Sequence, residues 1–314
     1  MRWIVGLRGP ALACALGALV CAGSATAVLV HGKQRLDPSA TDADLPGAGS
    51  VGQIGAQSGV YLGRGWVITA HHVTGNGSPD FVLDGKSYTA VAGSGVQLDT
   101  RPGFPADLQL LRLAEPPDLP SLSLATRPPT QGARVVMIGN SQGEPGRLIN
   151  WDAQWREVKI TESTHLGYQA SGPVSLRWGR NVVSDPSHFM RMGSSVTRAF
   201  GMRFDREGAV TGEAAVLNGD SGGAVFAKED GEWQLAGILF ARQTLPGQAN
   251  HVAVFGNTAM AVDLSFYREH ILTITSRRES SLALLLATLG AGALGSAGFQ
   301  RSRRRDSHRL ASHT

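Results

Sequence analysis

Gly219-Asp220-Ser221-Gly222-Gly223-Ala224-Val225-Phe226 reads as a tight glycine turn running into a short apolar strand. Glycines at 219, 222 and 223 let the backbone turn sharply, so that neighbouring amides face one side. In such a turn the amides of Gly219 and Ser221 can converge on a developing oxyanion while the Ser221 hydroxyl attacks a carbonyl. A plain glycine-rich hairpin has the same composition. The string therefore gains chemical meaning only if partners exist elsewhere in the chain.

A serine nucleophile needs a base. Upstream, Trp66-Val67-Ile68-Thr69-Ala70-His71-His72-Val73 is an apolar strand that ends in two histidines. Either imidazole has the near-neutral acidity suited to taking the serine proton and returning it to a leaving group. Between them and the serine lies Ala106-Asp107-Leu108-Gln109-Leu110-Leu111-Arg112-Leu113. An acid directly before an apolar run is placed to be half-buried and to orient an imidazole. Taken singly, each has a bland reading: a packed histidine, or a turn aspartate.

Taken together and in this order, the three motifs resemble the trypsin-like, chymotrypsin-fold serine peptidases, over roughly residues 55–272. In that family the histidine follows Thr-Ala-Ala. The resemblance therefore selects His72, with His71 in the last alanine position, and maps the acid to Asp107 and the nucleophile to Ser221. It implies an oxyanion hole from Gly219 and Ser221, with Asp220 shaping that loop, and a polypeptide substrate. It also implies an all-β fold of two antiparallel β-barrels packed around a catalytic cleft. Three departures qualify it. Ala215 stands six before the serine, where a buried acid would select Arg or Lys, and the wall strand reads Gly237-Ile238-Leu239-Phe240-Ala241-Arg242. A specificity pocket of Ala215, Phe240 and Arg242 points to a small or acidic side chain. No Ile-Val-Gly-Gly start is present, so activation by a new amino terminus reaching Asp220 is not evident. The alternative function is a catalytically inactive surface-binding protein on the same scaffold.

The body of the chain fits an all-β reading. Hydrophobic residues make up 42%, enough for a core, while 40 glycines and only 17% charged residues suit short strands and many turns. Apolar runs such as Gly59 to Leu62, Phe81 to Leu83 and Val135 to Ile138 alternate with turn residues. Pro116, Pro117, Pro120, Pro128 and Pro129 mark a connection between two halves, a first barrel over 51–125 and a second over 126–276. Residues 140–212 are a long stretch between landmarks, with Trp151, Trp155 and Trp178, that would shape substrate access or cover the barrel, and covering is the role expected for its aromatics. At 263–274, apolar positions 264, 267, 271 and 274 predict a closing helix. The remaining histidines have no metal-ligand spacing, so neither metal nor cofactor is expected.

The ends predict a destination. Residues 1–27 read as a signal peptide: Arg2 and Arg8, an apolar stretch from Ala11 to Ala22, then Ala25-Thr26-Ala27 for cleavage. The polar residues that follow, within 28–50, read as a linker or propeptide. Residues 281–299 are uncharged and long enough, at about 28 Å of helix, to cross a bilayer. Arg301, Arg303, Arg304 and Arg305 follow at once and would stay cytoplasmic. The 277–314 segment thus reads as an anchor through 281–299. It also resembles the PEP-CTERM sorting signals, which implies an exosortase-type partner, although Arg278-Glu279-Ser280 stands where Pro-Glu-Pro is usual. Nine of the 29 basic residues lie in these two ends, which leaves 20 bases against 23 acids between 28 and 276. The net charge of +4 therefore does not describe the body, and a nucleic-acid partner is not expected. Both cysteines, Cys14 and Cys21, fall in the signal segment, so the body must hold together without disulfides.

Overall fold

The computed structural model describes residues 28–31, 47–207 and 210–276. The signal segment at 1–27, most of the 28–50 linker and the tail at 281–299 with its arginines lie outside them. No helix among the described residues is long and apolar enough to cross a membrane.

The first strand among the described residues is the short β1 (Leu29–Val30), and most of the others form two seven-stranded sheets. The first contains β2 (Val51–Ile54), β3 (Gln57–Gly63), β4 (Trp66–Thr69), β5 (Phe81–Leu83), β6 (Lys86–Tyr88), β7 (Val96–Arg101) and β8 (Phe104–Arg112), in the order β6-β5-β2-β3-β4-β8-β7. Sequence neighbours pair because their connections are tight. Between β5 and β6, Asp84 and Gly85 both take positive φ, 48° and 74°, the two-residue hairpin turn whose twist matches paired strands. A four-residue helix, α1 (His71–Thr74), follows β4 directly.

The second sheet contains β9 (Arg134–Trp151), β10 (His165–Met192), β11 (Ser195–Arg203), β13 (Ala224–Glu229), β14 (Glu232–Gln243), β15 (Val252–Val254) and β16 (Thr258–Asp263), with β12 (Ala214–Ala215) apart from it. Its pairings run β11-β16-β14-β13-β9-β10, and β10 returns to β11, a closed ring of six strands with β15 added on β10. The 140–212 stretch lies mostly in the second sheet. It is mostly the long β9–β10 hairpin, paired from Arg134 with Val182 to Trp151 with His165, followed by β11.

One cluster of buried residues joins the two sheets, with Val60, Ile68, Leu108 and Leu110 on one side and Ile138, Phe226, Ile238 and Val262 on the other. The closing helix α2 (Leu264–Ser276) buries Leu264, Tyr267 and Ile271 against it, with Ile274 packed alongside, at the spacing expected. The start of the segment expected as a linker differs. Val28, Leu29 and Val30 are buried, and β1 pairs antiparallel with β12. Three successive apolar side chains outweigh the polar residues after them and draw the strand into the body.

Candidate active site

β4 and β8 pair with Ile68 opposite Leu110 and Thr69 opposite Gln109. Carrying this antiparallel register two residues further sets position 71 opposite 107, so the first turn of α1 lies over Asp107. One carboxylate oxygen of Asp107 accepts from the His72 amide at 2.9 Å, and the other meets His72 Nδ1 at 2.7 Å. An ionised carboxylate can only accept, so this contact keeps a proton on Nδ1 and leaves Nε2 as the basic nitrogen. Asp107 has only 9% of its side chain exposed, while 41% of His72 remains open. Across the interface between the sheets, the Asp107 amide donates to Thr197 Oγ1 at 3.0 Å. His71 turns elsewhere, with its Nδ1 on Gln109 Oε1.

The loop from Leu217 to Gly223 is wound on its own backbone. The Asp220 amide donates to Leu217 O at 3.3 Å, that of Gly222 to Leu239 O at 2.7 Å, and that of Gly223 to Asp220 O at 2.8 Å. The amides of Gly219 and Ser221, the two expected to meet an oxyanion, have no acceptor among the described residues. Gly219 has φ of 104°, a conformation open to glycine. Asp220 is 1% exposed, and its carboxylate accepts from the Leu217 amide at 2.8 Å. It sits so close to β9 that a Cβ on Gly139 would lie 2.2 Å from Asp220 Oδ1. Val28 packs at the same place, within 3.2 Å of that Cβ position.

Sequence reasoning missed Ser58 on β3. Its amide donates to Ser221 O at 2.8 Å and its hydroxyl to Gly219 O at 3.1 Å, while that hydroxyl accepts from the Asn140 amide at 3.0 Å. One serine of the first sheet thereby holds the carbonyls on either side of Asp220 and fixes the peptide planes 219–220 and 221–222 of the loop. A lone serine in an apolar strand carries no motif, so only the packing of the two sheets discloses it.

His72 and Ser221 line one cavity of about 310 Å³, together with Leu217, Asn218, Phe240 and Arg242. Two of the three expected specificity residues, Phe240 and Arg242, are thus in its wall. Ala215 lies behind it, 3% exposed in a cluster with Leu29, Tyr168 and Phe204. Val216 and Leu217 form the wall instead. Burial holds the Arg242 guanidinium below its usual basicity, with Asp220 opposing that shift. Among the described residues no three His, Cys, Asp or Glu side chains converge as a metal site requires.

A model of the trypsin-like peptidase domain matches residues 57–238. Among solved structures, the inactive form of the Rv3671c protease of M. tuberculosis is 18% identical, with 73% of this chain and 91% of that one covered and a TM-score of 0.44. The HtrA-type protease AlgW with a decapeptide is 18% identical, with 70% and 51% covered and a TM-score of 0.41. Neuropsin, a serine protease of mouse brain, is 16% identical, with 69% and 88% covered and a TM-score of 0.42. No curated protein sequence matches the chain.

Proposed function

The chain belongs to the trypsin-like peptidase family, and from that premise we propose that it is a serine endopeptidase cleaving polypeptides through an acyl-enzyme. Ser221 Oγ attacks the scissile carbonyl carbon, and its proton passes to Nε2 of His72. The displaced carbonyl electron pair resides on an oxyanion held by the Gly219 and Ser221 amides. As the carbonyl re-forms, the C–N bond breaks and His72 gives its proton to the departing amine. Water then repeats the sequence on the ester, releasing the acid and restoring the serine. Asp107 keeps the imidazole in the required tautomer throughout. The observation that carries this reading is the 2.7 Å contact between His72 Nδ1 and Asp107, on the wall of the cavity that Ser221 also lines.

The composition of the two ends supports a location outside the cytoplasmic membrane for this chemistry. On this reading 1–27 would direct export, and 281–299 with the arginines after it would either anchor the chain or present it to an exosortase-type enzyme. The reading is tested by turnover of a protein substrate such as casein. Ser221→Ala should lower kcat by on the order of 10⁶-fold with unchanged thermal unfolding. Retained turnover in that variant refutes it.

A further inference from the structure

Arg242 raises a question that the hydrolytic machinery leaves open. It sits near the end of β14, and its Nη1 donates to Val252 O at 2.9 Å and its Nη2 to Asn250 O at 2.7 Å. These two carbonyls fix the plane of the guanidinium across the cavity wall. A clamp between β14 and the 250–252 segment needs only two N–H donors and no net charge. The full charge is surplus to that role. It is also costly, because the side chain is largely withdrawn from water and no carboxylate among the described residues lies within ion-pair distance of it. Asp220 acts on it only from further off.

The rest of the cavity is consistent with a counter-charge supplied from outside. Besides Arg242 and His72, the ionisable group in the lining is Asp220, which is 1% exposed and engaged by the Leu217 amide. The other polar lining is neutral: Asn218, Thr244 and Asn250. A carboxylate entering beside Ser221 meets an oriented cation with unspent N–H donors and no exposed acid. An ammonium or guanidinium entering there meets a like charge.

Resting on the endopeptidase reading, we infer that Arg242 is a specificity-determining residue and that the enzyme cleaves after acidic residues, the side-chain carboxylate of Asp or Glu pairing with its guanidinium. Phe240 and Leu217 would pack on the short aliphatic stem. Ala215, lying behind the wall, takes no part.

The test separates this inference from the catalytic reading by measuring binding without turnover. Full-length Ser221→Ala protein is titrated with product-like peptides that end in Glu, Gln or Lys and are otherwise identical. The expected result is a Kd for the Glu peptide about 10- to 100-fold below that for Gln, with Lys weakest, as for a hydrogen bond gained to a charged group. Adding Arg242→Gln, which removes the charge and keeps a polar side chain, should bring Glu and Gln within about threefold of each other. Adding Arg242→Glu should place Lys ahead of Glu. Equal binding of Glu and Gln, or a Glu preference that persists in Arg242→Gln, overturns the inference even if the unsubstituted enzyme is an active peptidase. A Glu preference that depends on Arg242 sustains it even if no turnover is found, in which case only the catalytic reading falls.

Discussion

Asp107 makes two bonds to one histidine residue, and substitution shows what each is for. In Asp107→Asn one bond to His72 can survive, but an amide nitrogen facing Nδ1 would favour the tautomer with its proton on Nε2. kcat should fall by about 10⁴-fold, while KM stays within a few-fold of its original value. Steady-state kinetics on one peptide substrate check this, and a loss confined to KM would contradict it. Ser58→Ala removes the hydroxyl that ties Gly219 O and the Asn140 amide. It should lower stability by about 2 kcal/mol, as two ordinary hydrogen bonds, and kcat/KM by roughly tenfold as the 219–220 peptide of the serine loop loses its tether. Denaturant melts and kinetics read the two effects separately. Ser221, Asp107 and the pair of histidines are legible in the sequence because each stands at a boundary between glycine or polar residues and an apolar run. The choice between His71 and His72 is not legible from the residues themselves. It depends on the chain turning into α1 beyond the β4–β8 pairing, which sets His72 on Asp107 and His71 on Gln109. Ser58 and the retreat of Ala215 are tertiary facts, created by one sheet leaning on the loop of the other and by β1 covering β12.

Among the elements, β1 is the one whose environment departs most from its local composition. Three apolar residues at the head of a polar stretch look too few for a strand, and the partner strand β12 is nearly two hundred residues away. Leu29 is fully buried, and Leu29→Ala should cost about 3 kcal/mol of unfolding free energy in a chemical denaturation series. At the end of β1, His31 faces Tyr168 Oη at 2.9 Å and the rings of Phe204 and Phe255. Burial, and secondarily the charge of Arg206, holds its pKa below the ordinary value of 6.5. The unfolded chain therefore takes up this proton more readily than the folded one. The stability at stake is full above about pH 6.5, is lost as the pH falls through that value, and levels off below the folded-state value. Thermal melts between pH 5 and 7.5 should show this slope, and His31→Gln should flatten it; an unchanged slope would remove His31 from the account. By contrast, α2 could be read from its sequence because its buried positions repeat at helical spacing within one short window. The β9–β10 hairpin is harder to read: Leu166, Tyr168, Ala170, Val174, Leu176 and Trp178 keep a two-residue spacing, but Gly143, Pro145, Gly146, Gly172 and Pro173 interrupt it as they would a loop.

For the whole molecule, the all-β character was readable from glycine frequency, low charge and short apolar runs. The closed ring of the second sheet depends on β10 bending to meet both β9 and β11, which no local pattern encodes. The expected cleavage after Ala27 would leave Val28 as the first residue of the mature chain. That residue is fully buried and packs beside Asp220. A new ammonium there would need a carboxylate partner, and Asp220 is the acid at hand. Mass spectrometry of the active protein should therefore find a chain starting at Val28, and a start well downstream would contradict this account of maturation. The central claim concerns Ser221, and labelling with a fluorophosphonate tests it most directly. The account predicts one adduct per chain, on the peptide containing Ser221, and none in Ser221→Ala. An unlabelled protein, or an adduct that persists after Ser221→Ala, would contradict it.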